Sequence, residues 1–150
     1  MIVVKEVRSK RQLKAFVKFP FELYKDSRYW VPPIIKEEMA VFNPSKNPIL
    51  KDANLKLFLA YQDRELVGRV AAIVNWIEVK AQNTKKMRFG WFDFIDDVEV
   101  SKALLDKVSE IGKSHNLDYV EGPVGFSNLD KVGILTYGFE HIGTCLLYTS

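Results

Sequence analysis

Two stretches of this 150-residue chain hold residue types that can do chemistry. The first is Phe94-Ile95-Asp96-Asp97-Val98-Glu99-Val100, three carboxylates where an aromatic, β-branched run gives way to a helical period. The first N–H groups of a helix lack intrahelical partners, so such a place suits an anion or a capping carboxylate. Asp96 or Asp97 fits the cap. The second stretch is Gly122-Pro123-Val124-Gly125-Phe126-Ser127-Asn128. Gly122 and Gly125 permit close backbone approach at the carboxyl end of a strand, where ligands of α/β units lie. A plain turn is the competing reading. Ser127 and Asn128 can orient an amine or a water there and are the candidates for a catalytic role. No other constellation stands out. His115 belongs to a helix end, and His141 has no Cys, His or carboxylate at metal-ligand spacing, so no metal site is expected.

The elements that must position these residues form a strand–helix–strand unit. Met87 to Phe94 reads as a strand, and Val98 to Gly112 as a helix with Val100, Ala103, Leu104, Val108 and Ile111 on one face. Leu117 to Glu121 is a second strand, closed by Gly122-Pro123. A helix of that length predicts a crossover and a parallel pair of strands.

Upstream, Ile2 to Val7 predicts a first strand, and Ser9-Lys10-Arg11-Gln12 a capping box. Pro20 should interrupt the helix that follows and begin a second one. A short helix fits Ile34 to Phe42. Tyr29 and Trp30, held extended by Pro32-Pro33, read either as a cover packed with Phe42 on the sheet or as the wall of a substrate cleft. Leu57–Tyr61 and a long strand from Leu66 to Val79 form an antiparallel hairpin, with a bend at Asn75-Trp76. The expectation is an α+β domain, residues 1–150, with a mixed sheet.

Composition sets bounds. Hydrophobic residues make up 47% and charged residues 27%, as in ordinary globular domains. Twenty-two basic against 19 acidic residues, interspersed, leave a net charge of +3, a poor match to nucleic acid. The basic group Gln82 to Arg88 predicts a solvated turn, with an anion contact as the alternative. Phe89, Trp91 and Phe92 resemble a base-stacking platform, but Asp93, Asp96, Asp97 and Glu99 would repel phosphates. The single Cys145 excludes an internal disulfide and fits a reducing, cytoplasmic setting. Charges follow Met1–Val4 at once, so neither a signal peptide nor a membrane partner is expected.

The order of elements, and the words FELYKDSRYWVPP, FNPSKNPIL, FLAYQDRELVGRVAAIVN, FGWFDF, VEGPVGFS and YGFE, resemble a group of uncharacterised bacterial GNAT-like proteins, in the acyl-CoA N-acyltransferase superfamily. The resemblance implies a three-layer α/β/α fold with a mixed central sheet. It implies acetyl-CoA or another acyl-CoA as cofactor, with the backbone of Phe94 to Val100 holding the pyrophosphate. The thioester arm would lie between the strands Met87–Phe94 and Leu117–Glu121. A small amine would be the acceptor, with Tyr29, Trp30, Gly122 and Gly125 about the substrate cleft. The departure is at the pyrophosphate turn, where the family usually has a basic, glycine-rich word and this chain has three acids and no glycine. A non-catalytic GNAT-like scaffold that has lost coenzyme A is therefore the alternative. The related proteins are longer, and CLLYTS does not follow their pattern. The chain thus reads as an amino-terminal fragment, incomplete at its C-terminus, with a non-native tail at 145–150.

Overall fold

A computed structural model describes residues 1–130, 132–138 and 140–141; Cys145 and the expected foreign tail lie outside them. Five strands form one sheet in the order β1-β2-β3-β4-β5: Ile2–Glu6, Ala53–Gln62, Glu65–Asn75, Lys86–Phe94 and Tyr119–Glu121. The first three junctions are antiparallel, and β4 pairs with β5 in parallel. Helix α4, Val98–Ser114, makes the crossover between them. Helices α1 (Lys10–Leu23) and α2 (Ile35–Val41) precede β2, and α3 (Trp76–Gln82) joins β3 to β4.

Two apolar layers follow from the alternation of side chains along the strands. On one face, Val100, Leu104 and Val108 of α4 pack on Phe58, Val70, Ala72, Val74 and Met87. On the other, Phe16 and Val17 of α1 join Phe42, Leu59, Ala71, Ile73 and Trp91. The arrangement is the expected α/β/α sandwich with a mixed sheet.

Ser9 and Gln12 form the predicted capping box at the start of α1. Pro20 does not break that helix; Lys10–Leu23 is continuous with Pro20 buried inside it. A proline there removes the hydrogen bond that residue 20 would give the carbonyl of residue 16. The Phe16 carbonyl instead accepts from Nη1 of Arg69 at 2.7 Å. Arg69 is 5% exposed; its Nε donates to Asp93 Oδ2 at 2.8 Å, and its guanidinium lies 5.0 Å from the Phe16 ring centroid. A cation from the sheet thus replaces the missing helical donor.

Two further expectations change. The third strand stops at Asn75, whose side chain accepts from the N–H groups of Ile77 and Glu78 and starts α3. The basic group is a solvated turn only in its first half: Gln82, Asn83 and Lys85 are exposed, whereas Lys86 and Arg88 belong to β4 and are 8% and 2% exposed. They can be buried because Glu78 of α3 pairs with both, at 3.0 Å from Lys86 Nζ and through both Nε and Nη2 of Arg88. Phe89 and Phe92 pack on the α4 side while Trp91 packs on the other, so the three rings make no common stacking platform.

Removing the Arg69 guanidinium leaves the Phe16 carbonyl without its donor and the largely buried Asp93 carboxylate without its cation. Arg69→Ala should therefore lose about 3–5 kcal/mol of stability, measured by urea unfolding. A loss within the ordinary range for surface changes would show that α1 tolerates Pro20 without this contact.

Candidate functional site

The candidate region centres on the carboxyl half of β4. Arg69 faces Asp93 and Ala71 faces Gly90, so two residues of β4, Trp91 and Phe92, stand opposite Val70 alone. That is a β-bulge, and Trp91 occupies its left-handed position at φ 47°. The extra residue switches the alternation. Phe89, Phe92 and Phe94 face α4, while Trp91 lies under α1 and α2 and Asp93 meets Arg69. Strict alternation in the sequence puts Phe89, Trp91 and Asp93 on one face, and nothing in the residue types signals the insertion.

On its other edge β4 is paired for a short distance only. Lys86–Arg88 match Tyr119–Glu121, and Val124 N–H donates to the Phe89 carbonyl at 2.8 Å. A side chain at Gly90 would strike the Val124 carbonyl, and one at Gly122 the Phe89 carbonyl, so both glycines are needed for this close approach. The chain then dips beneath the sheet, where Phe126 packs 5.6 Å from the Trp91 ring. Among the described residues, Phe92–Phe94 have a strand partner only in β3. This edge of β4, unpaired beyond Phe89 among the described residues, is the notch beside the bulge.

The glycine-rich stretch closes on itself. Gly125 N–H donates to the Asp130 carbonyl and Phe126 N–H to Asp130 Oδ2. A side chain at Gly125 would collide with Asp130, which therefore fills the space that a ligand would need there. Ser127 Oγ accepts from Leu129 N–H at 3.3 Å, and Asn128 Oδ1 accepts from Arg88 Nη2 at 2.7 Å. Both candidate catalytic side chains are exposed residues that also hold this loop.

Of the two aspartates, Asp97 caps α4: its Oδ1 accepts from Glu99 N–H at 2.8 Å and its carbonyl from Val100 N–H at 3.2 Å. Asp96, Val98 and Glu99 are exposed, Phe94, Ile95 and Asp97 half-buried, and Val100 buried under the sheet. The helix start thus carries its own anion and two more carboxylates nearby. Its residues do not fit a pyrophosphate as they stand.

On the α1 side of the notch, Tyr24 O–H donates to Asp93 Oδ1 at 2.8 Å. Burial, and the Asp93 carboxylate beside it, push the Tyr24 phenol well above its usual range, so it stays a protonated donor. Trp30 packs edge-on against Phe21 at 5.1 Å and lies 5.4 Å from Tyr24. Trp30 therefore covers α1 and not the sheet; Phe42 alone of the expected cover reaches the core, between Phe16 and Trp91. Tyr29 lies under the Arg28 guanidinium. Trp91 Nε1 donates to the buried Glu38 at 3.0 Å. His115 is half-buried, its ring tilted against Trp76 at 5.8 Å between centroids and bonded to Asn54, a structural role; His141 is exposed beside Glu140. No group of three metal-ligating side chains occurs among the described residues, nor does any helix there suffice in length and apolarity to cross a membrane.

The overall fold recurs in solved structures. A tandem GNAT protein from the clavulanic acid biosynthesis pathway superposes with a TM-score of 0.61 at 10% identity, over 80% of this chain and 35% of that one. The fold is that of the GNAT acyltransferases. No family model matches the sequence. Protein YghO of Escherichia coli strain K12 is 29% identical over 141 residues, 92% of this chain and 35% of YghO. Bacterial ceramide synthase of Caulobacter vibrioides is 28% identical over 137 residues, again 35% of its length. This chain therefore spans about a third of the curated relatives that it matches.

Two measurements test the local electrostatics. Asp97→Ala should destabilise by about 0.5–2 kcal/mol and Asp97→Asn by much less, while Asp96→Ala, outside the cap, should leave the melting temperature nearly unchanged. Equal effects at 96 and 97 would contradict the cap assignment. The Arg88 hydrogen bond holds the Glu78 carboxyl below its ordinary value of 4.5. Its contribution is complete above that value and is lost as pH falls through the lowered one. The gap in melting temperature between the native protein and Glu78→Gln should thus be constant near neutrality and narrow on acidification. A gap that holds its size into strong acid would refute the pairing.

Proposed function

We propose that the protein is an acyl-CoA-dependent N-acyltransferase acting on an amine. The observation that carries this reading is the notch beside the bulge in β4, on a GNAT fold. An unpaired strand edge offers N–H and C=O groups to an extended arm, as to another strand. Acyl-CoA supplies an activated thioester when bound. The chain's own part is to hold that arm along Phe92–Phe94 and to set an N–H of the bulged backbone against the carbonyl oxygen that gains charge. The acceptor amine lies on the α1 side, where Tyr24 and Trp30 form one wall and Asp93 a carboxylate at its base. Tyr29 and Gly122 flank that cleft, and Ser127 or Asn128 orients the amine or a water. Gly125 supports the loop from beneath.

The acidic start of α4 enters this reading as a restriction. Backbone from Phe94 to Val100 borders the donor, but Asp96, Asp97 and Glu99 oppose a pyrophosphate, so binding depends on the acyl and thioester arm. A ceramide is an amide of a long-chain amino alcohol, and the name of the Caulobacter relative makes long-chain acyl donors and amino alcohols the first substrates to try. The acidic turn also favours a second reading, a scaffold on a GNAT fold that no longer binds coenzyme A.

Calorimetry with acetyl-CoA, palmitoyl-CoA and free coenzyme A separates the two. The enzyme reading expects saturable binding of an acyl-CoA that exceeds binding of free coenzyme A. Asp96→Asn/Asp97→Asn should bind free coenzyme A more tightly than the parent, with a gain that shrinks as salt rises. No binding of any acyl-CoA at millimolar concentration by the parent or the double variant would leave the scaffold.

A further inference from the structure

A hollow of about 570 Å³ lies between the start of α1 and the outer face of α2. Its floor is apolar, built by Leu13, Met39 and the 7%-exposed Phe42. Its rim carries Lys10, Lys36 and Lys46, and no carboxylate lines it. Among the described residues none of these three lysines has an ion pair or a side-chain hydrogen bond. The contrast with the adjoining hollow of about 300 Å³ is informative: there Glu6 pairs with Arg8 at 3.1 Å and reaches Lys56 at 3.9 Å. Three unmatched cations around one apolar depression are a charge pattern awaiting an anion with an alkyl body.

The hollow is separate from the notch. Lys10 begins α1 and Tyr24 ends it, so about 20 Å of helix lies between them. It offers no aromatic face to a nucleotide base, since Phe42 is spent between Phe16 and Trp91. Its concave shape suits one chain inserted end-on more than a bilayer, which needs a projecting apolar tip. Lysine ammonium groups are compact point charges that match a small anionic head without the planar geometry that arginine demands.

We propose that this groove binds a single long-chain carboxylate, its alkyl chain on Leu13, Met39 and Phe42 and its head among Lys10, Lys36 and Lys46. The site is independent of the acyl-transfer reading. Monomeric laurate, titrated calorimetrically, is expected to bind one to one, more weakly as salt rises. Lys36→Glu/Lys46→Glu reverses two exposed charges and should weaken laurate at least tenfold with an unchanged melting temperature. Met39→Asp should abolish binding by placing a charge on the floor. Saturating coenzyme A should not compete. Equal affinity for uncharged dodecyl maltoside, or for laurate in the double lysine variant, would overturn the proposal. Capture by phosphatidylglycerol vesicles without binding of monomeric laurate would overturn it in favour of a membrane surface.

Discussion

The fold turns on a single orphaned carbonyl. Pro20 inside α1 leaves the Phe16 oxygen without its helical donor, in a buried setting where that loss costs more than an exposed one would. The Arg69 guanidinium answers it, and having been buried for that purpose it must in turn be neutralised. Asp93 does so from β4, and the second oxygen of Asp93 is bound by Tyr24 at the end of the same helix. One chain of polar contacts therefore runs from helix to strand to strand and back to the helix. It fixes how α1 lies across the sheet to within hydrogen-bond tolerance, which apolar packing alone does not do.

That chain has a condition: Asp93 must point towards α1. Counting two residues at a time from Arg88 along an unbroken strand puts residue 93 on the opposite face. The bulge at Trp91–Phe92 supplies the missing step. It also divides the aromatic run, sending Trp91 to the Glu38 side and Phe92 with Phe94 to α4. The irregularity that lets the buried ion pair form lies in the part of β4 that has no parallel neighbour among the described residues. Structural constraint and candidate site share one backbone feature.

Much of the architecture was legible because it rests on periodicity. The helical face of Val100, Leu104 and Val108, the capping box at Ser9 and the parallel closure through β5 all follow from residue types at fixed spacing. What stayed hidden depends on partners distant in sequence. Pro20 reads as a helix breaker unless Arg69, 49 positions on, is known to lie beneath it. Lys86 and Arg88 read as solvated until α3 brings Glu78 against them. The bulge has no glycine at its left-handed residue, only Gly90 before it, so backbone conformation there is set by tertiary contacts. The site is the least legible part for the same reason: its principal groups are main-chain amides and a strand edge, which any side chain can accompany.

This bears on what the acidic start of α4 means. A helix needs its first N–H groups satisfied whatever the protein does, and Asp97 meets that need through Glu99 N–H. A glycine-rich turn leaves the same amides bare, dependent on a ligand or on water. The difference is therefore a transfer of the capping role from ligand to chain, and it stabilises the protein alone at the expense of any anion it binds there. The notch beside β4 is untouched by that exchange, because its edge is unpaired where β5 ends at Glu121. The helix cap is thus separate from the bulge, which fold and strand edge share. A chain can keep the fold, superpose on a GNAT protein at 10% identity, and still carry its own anion at the start of α4.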